Sequence, residues 1–91
     1  MKKKTSKPNV VIKIYSYTSY IRLSEFIVDR FNLNERIRFI LTGGSIDGLG
    51  RAVLMAEKAL DVEFCLKFVE CISENGDGKH FVHYDLMKVG E

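Results

Sequence analysis

The side chains able to bind a soft metal, or to act as nucleophile and base, are few: Cys65, Cys71, His80 and His83. A zinc module needs paired ligands at short, regular spacing so that four lone pairs converge on one point, and no such cysteine or histidine pair occurs here. His80 and His83 are separated by an odd number of residues in a segment that reads as a strand, so they point to opposite faces. Cys65 and Cys71 also fall within one strand-like segment, which keeps them too far apart to bridge. No third group is spaced to orient a cysteine–histidine pair, so the expectation is no catalytic residue, no metal and no cofactor. The acidic stretch Glu74-Asn75-Gly76-Asp77-Gly78 lacks the ladder of carboxylates and the closing glutamate of a calcium loop, and reads as a hairpin turn.

Two constellations remain. The first is the glycine-rich segment GGSIDGLG over residues 43–50, between a strand and a helix, where a phosphate cradle is often found. It has no Gly-Lys-Ser/Thr ending, and Val53 stands where the last glycine of a dinucleotide fingerprint would be. Backbone N–H groups around Gly44 can still hold one phosphate; a tight turn with close packing accounts for the same glycines. The second is a set of basic residues interleaved with aromatics: Lys13, Tyr15, Tyr17, Tyr20, Arg36, Arg38, Arg51, Lys79 and His80. Planar rings stack on unpaired bases and guanidinium groups clamp phosphates, whereas a solvated sheet face with ordinary tyrosines is the plainer alternative.

The elements that must position these residues follow from periodicity. Asn9–Tyr15 (NVVIKIY) is β-branched and reads as a strand with Val10, Ile12 and Ile14 on one face. A helix follows, capped by Thr18 or Ser19 and reaching Asn32, with Tyr20, Leu23, Ile27 and Phe31 as its apolar stripe and Phe26 beside it. Arg36–Thr42 alternates as a strand with Ile37, Phe39 and Leu41 inward and Arg36 and Arg38 on a wet face. A second helix, capped by Ser45 or Asp47, runs to Leu60 along Ile46, Leu49, Val53, Ala56 and Leu60. Gly48 and Gly50 are poor helix formers, so either the helix starts after them or something packs closely against them. Asp61–Ser73 and Lys79–Val89 then form a long hairpin, with Phe64, Leu66 and Phe68 on one face of its first strand and Val82, Tyr84 and Leu86 on one face of its second. The expected fold is α+β: a two-layer β-α-β-α-β-β sandwich, a four-stranded mixed sheet with both helices on one face.

With 91 residues and 46% hydrophobic composition, the chain has room for one domain over residues 10–91, preceded by a flexible basic arm over 1–9. The net charge of +2 is unevenly placed, because Lys2, Lys3, Lys4 and Lys7 lie in the arm. The remainder carries 10 basic and 12 acidic side chains, so attraction for phosphate must come from the arm and from local clusters. No apolar run is long enough for a leader or a membrane span, and the cysteine usage fits a reduced, intracellular protein, cytoplasmic or nuclear.

The stretches IKIYSYTSYIRLSEFIVDRFN and GRAVLMAEKAL resemble the first strand, loop and first helix, and the second helix, of the Alba family of nucleic-acid-binding proteins. In the second stretch Ala52, Val53, Ala56 and Glu57 match the family's Ala-Val-x-x-Ala-Glu. The resemblance covers nearly the whole chain after the lysine arm. It implies a non-enzymatic protein that binds RNA or DNA as a homodimer or as a heterodimer with another Alba-like chain. Tyr17 and Thr18 stand where the family has a lysine pair, and the glycine loop is longer than the family's, which leaves open which glycine matches its motif. These departures shift the expectation from coating of duplex DNA to RNA, with Tyr17 as a stacking group, and resemble the Alba-related subunits of ribonuclease P and MRP. The expected contacts are Lys13, Tyr17, Arg36, Arg38, Gly44, Arg51 and Lys79. The alternatives are a ribonucleoprotein subunit acting mainly through a protein partner, and a small ligand-binding module or enzyme using residues 43–50. Ile21, Val28 and Leu54 lie away from the main helical stripes and are the expected dimer contacts.

Overall fold

The computed structural model describes residues 8–14, 19–42, 46–74 and 79–90. The chain is α+β in the order β1 (Val10–Ile14), α1 (Tyr20–Asn32), β2 (Ile37–Thr42), α2 (Asp47–Leu60), β3 (Phe64–Glu74) and β4 (Lys79–Lys88). The four strands form one mixed sheet in the order β1-β2-β4-β3. β1 lies parallel to β2, and β4 pairs antiparallel with both β2 and β3.

Strand alternation divides the sheet into two unlike faces. Ile37, Phe39 and Leu41 of β2 stand opposite Leu86, Tyr84 and Val82 of β4, and this row faces the helices. Leu23, Ile27 and Phe31 of α1 and Leu49, Ala52, Val53 and Ala56 of α2 close the core over it. Ile27, Ile37, Phe39 and Leu86 are its largest fully buried side chains. Phe31 and Phe64 pack with ring centroids 4.7 Å apart, fixing the end of α1 against the start of β3. The predicted helical stripes are therefore the buried ones, except that Tyr20, Ile46 and Leu60 at the helix ends are only half-buried.

The helix ends differ from expectation in instructive ways. Ser19 is the N-cap of α1, but its side chain makes no capping hydrogen bond; Thr18 lies outside the described residues. α2 is capped by Ile46 without a side-chain bond, and Asp47 sits inside its first turn, where a carboxylate is favoured by the helix dipole. Ser45, the other expected cap, lies outside the described residues, as does the predicted turn over 75–78. Its flanks nevertheless pair, Glu74 opposite Lys79. At its far end α2 stops on Asp61 in the left-handed region (φ 56°), and the Phe64 N–H donates to Glu57 Oε2 at 2.8 Å. That bond ties the helix to the first residue of β3.

Candidate nucleic-acid interface

The parallel pairing of β1 with β2 brings their C-terminal ends to one edge of the sheet, and each strand is followed by a helix that starts there. The register Thr42↔Phe81 brings the start of β4 to the same edge. Topology alone therefore collects the first turns of both helices and the start of β4, with Lys79, at this edge. Tyr17 and Gly44 lie outside the described residues, and Lys79 is placed by its backbone pairing.

Among the described residues at this end, Tyr20, Gly48 and Arg51 form a compact knot. A Cβ added at Gly48 would stand 2.5 Å from Tyr20 Cε1, so the glycine is what admits the ring. The α2 helix thus includes both Gly48 and Gly50, and close packing explains the first of them. The Arg51 guanidinium carbon lies 5.6 Å from the Tyr20 ring centroid, a cation–π contact, while Arg51 stays exposed. An exposed guanidinium braced on a ring is held in place with donors left over for a phosphate.

Lys13, Arg36 and Arg38 belong to a different surface. Arg38 stands opposite Val11 of β1 and Asp85 of β4, on the sheet face away from the helices, and Lys13 is on the same face. The two arginines are less free than a wet-face reading implied. Arg38 donates through Nε to Asp85 Oδ1 at 2.8 Å and through Nη2 to Oδ2 at 3.5 Å, and Arg36 Nη2 reaches the same Oδ2 at 3.5 Å. The bond to Asp85 holds the Arg38 pKa above its ordinary value, against a smaller opposing effect of burial. Asp85 is buried, an unusual place for a carboxylate, and only its paired guanidinium groups make that tolerable. Its role was missed from sequence, where the one signal is that Asp85 is the single acid of the segment Lys79–Lys88. Next to it on this face, His83 Nδ1 lies 3.3 Å from Glu70 Oε2, at ion-pair distance but without a hydrogen bond.

The three expected interface residues separate as well. Leu54 is 60% exposed and lines a groove of about 690 Å³ between α2 and β3, with Ile46, Val53, Glu57, Phe64 and Leu66. Val28 is half-buried and lines a smaller groove between the helices with Met55 and Ala59, while Ile21 is exposed on α1. Cys65 and Cys71 are free and exposed, and among the described residues no three histidine, cysteine or acidic side chains gather to hold a metal ion. Among the described residues no helix is long and apolar enough to cross a membrane. Comparison with models of known families, with curated proteins and with solved structures finds no match.

Proposed function

We propose that this chain is an Alba-type nucleic-acid-binding protein, non-enzymatic and intracellular, that takes RNA in preference to DNA and acts as a dimer. The observation that carries the reading is the convergence, at one edge of the sheet, of both helix starts, the start of β4 and the Tyr20–Gly48–Arg51 knot. The β-α-β-α-β-β order is also the one that the Alba resemblance implies. Arg51, with Lys79, Tyr17 and the lysine arm, is assigned to the phosphates and bases; Lys13 is exposed on the adjoining face. The preference for RNA rests on Tyr17-Thr18 in place of a lysine pair and on the acidic balance beyond the arm, both of which disfavour simple coating of a duplex.

Anisotropy titrations of labelled single-stranded RNA and duplex DNA across a salt series test this. RNA binding that weakens as salt rises is expected, and Arg51→Ala should reduce the log–log salt slope by roughly one unit. No binding of either nucleic acid at low salt would overturn the reading.

The second reading, a ribonucleoprotein subunit working through a protein partner, gains from one observation. Arg36 and Arg38 are drawn to Asp85, whose carboxylate offsets part of their charge toward a phosphate. Binding that requires a second Alba-like chain would favour it.

A further inference from the structure

β3 is an edge strand, so among the described residues one side of its backbone lacks a neighbour in the sheet. It is eleven residues long, more than twice the length of the other edge strand, β1, with five. Every second N–H and C=O on that side points outward, which makes a long edge a template for another strand. Its side chains add to this, since Phe68 is 54%, Val69 36% and Ile72 43% exposed. Charges that usually guard such an edge are sparse: between Phe64 and Ile72 there are only Lys67 and Glu70.

The strand carries a β-bulge between Phe68 and Glu70. Its effect on side-chain direction is readable from the pairing. Lys67 stands opposite Asp85 and Glu70 opposite His83, two β4 residues on the same face, so Lys67 and Glu70 share a face despite being three apart. Leu66, Phe68 and Cys71 share the other, opposite Leu86, Tyr84 and Val82. In an uninterrupted strand Lys67 and Glu70 would point to opposite sides.

We propose that two copies of this chain join along β3, antiparallel, about a two-fold axis that passes between Phe68 and Val69. The proposal rests on the dimer reading above and names its surface. A two-fold axis perpendicular to a sheet keeps each residue on its own face, so only residues of one face can stand opposite each other. With the bulge, this register meets that condition at each flanking pair. Lys67 faces the partner's Glu70, Cys65 faces the partner's Ile72, and Leu66 faces the partner's Cys71. Phe68 and the partner's Val69 meet at the axis. The two charges between Phe64 and Ile72 are thus neutralised twice over by symmetry, and the exposed apolar groups cover one another. A bulge ordinarily spoils an edge for strand addition; set against its own copy across the two-fold, each offset is matched by the same offset. The groove between α2 and β3, with Leu54, Phe64 and Leu66 in its lining, shares β3 with this edge.

The test is a charge-reversal exchange read by sedimentation and native mass spectrometry. Lys67→Glu and Glu70→Lys should each weaken self-association roughly ten-fold, because each turns two facing opposite charges into two like pairs. Mixed in equal amounts, the two variants should form the heterodimer in preference to either homodimer, since both facing pairs are then complementary. Register is read by cross-linking. Ile72→Cys combined with Cys71→Ser should give a thiol-reversible dimer through Cys65 under mild oxidation, while the unaltered chain should not, its cysteines facing Ile72 and Leu66 instead. A dimer that ignores both charge reversals and fails to cross-link overturns this interface and leaves the dimer reading standing. A chain that stays monomeric at all concentrations overturns both.

Discussion

Replacing Gly48 by alanine sets two effects of known size against each other. Gly48 is the second residue of α2, and alanine there should favour the helix by about 0.5–1 kcal/mol. Against this, the new Cβ would lie 2.5 Å from Tyr20 Cε1 and 3.3 Å from Cδ1, about an ångström inside normal contact at the nearest point. The ring must swing aside. Overpacking of this kind costs about 1–3 kcal/mol, and loosening the ring from Arg51 forfeits about 0.5–1 kcal/mol of cation–π attraction. The clash outweighs the helix gain, so Gly48→Ala should destabilise by about 1–2 kcal/mol. Gly50 supplies the internal control: an added Cβ there meets nothing within 4 Å, and Gly50→Ala should stabilise by about 0.5–1 kcal/mol.

Urea denaturation followed by circular dichroism measures both, with equal m values as the check that the unfolded state is unchanged. The decisive comparison is made in the Tyr20→Ala background. With the ring gone, Gly48→Ala should reverse sign and stabilise as Gly50→Ala does, a coupling of about 2 kcal/mol between positions 20 and 48. If Gly48→Ala stabilises the unaltered chain, or if its effect is the same with and without Tyr20, the packing account of this glycine is wrong.

Two further substitutions probe the ends of the same framework. Asp85→Ala leaves the Arg36 and Arg38 guanidinium groups without their shared carboxylate; side-chain exposures of 22% and 28% mean that water recovers part of the loss, so about 1–2 kcal/mol is expected rather than the larger penalty of full burial. The raised pKa of Arg38 means that the guanidinium side of this contribution is lost only as pH rises through and beyond the ordinary guanidinium range, so the difference from the parent chain, measured by urea denaturation at pH 7 and pH 9, should be the same. Asp61→Gly relieves a side chain held at φ 56° and should raise the thermal midpoint by a few degrees, about 0.5–1 kcal/mol, as followed by a melting curve.

The strands and helices were legible because their periods are clean: VVIKI and IRFILT alternate, and Leu23, Ile27 and Phe31 recur at helical spacing. Cap positions were less so, since Ser19 and Asp47 have the right chemistry but their side chains make no capping bond. Arg36 and Arg38 were correctly set on the face away from the core, but their partner lies 47 residues beyond Arg38, and no local pattern links the two. Nor does any residue type announce the bulge. A bulge at Phe68–Glu70 is a matter of how many residues β4 offers opposite them, which is a property of the pairing and not of either strand alone.

That unannounced residue decides how the surface can be used. Without the bulge, Lys67 would share a face with Val69 and Cys71, and Glu70 would point among the residues facing the helices. An antiparallel joint of two β3 strands would then set each charge against an apolar group or against its own copy. With it, the charges fall on one face and become complementary under two-fold symmetry. The same joint fixes the direction of the candidate nucleic-acid ends. In the proposed dimer, antiparallel β3 strands would run their hairpins in opposite directions, which would put the Tyr20–Gly48–Arg51 knots of the two copies at opposite ends of one eight-stranded sheet. Such a dimer would engage two separate stretches of nucleic acid, not one continuous phosphate track, so losing it should lower avidity on a long RNA while leaving affinity for a short one unchanged.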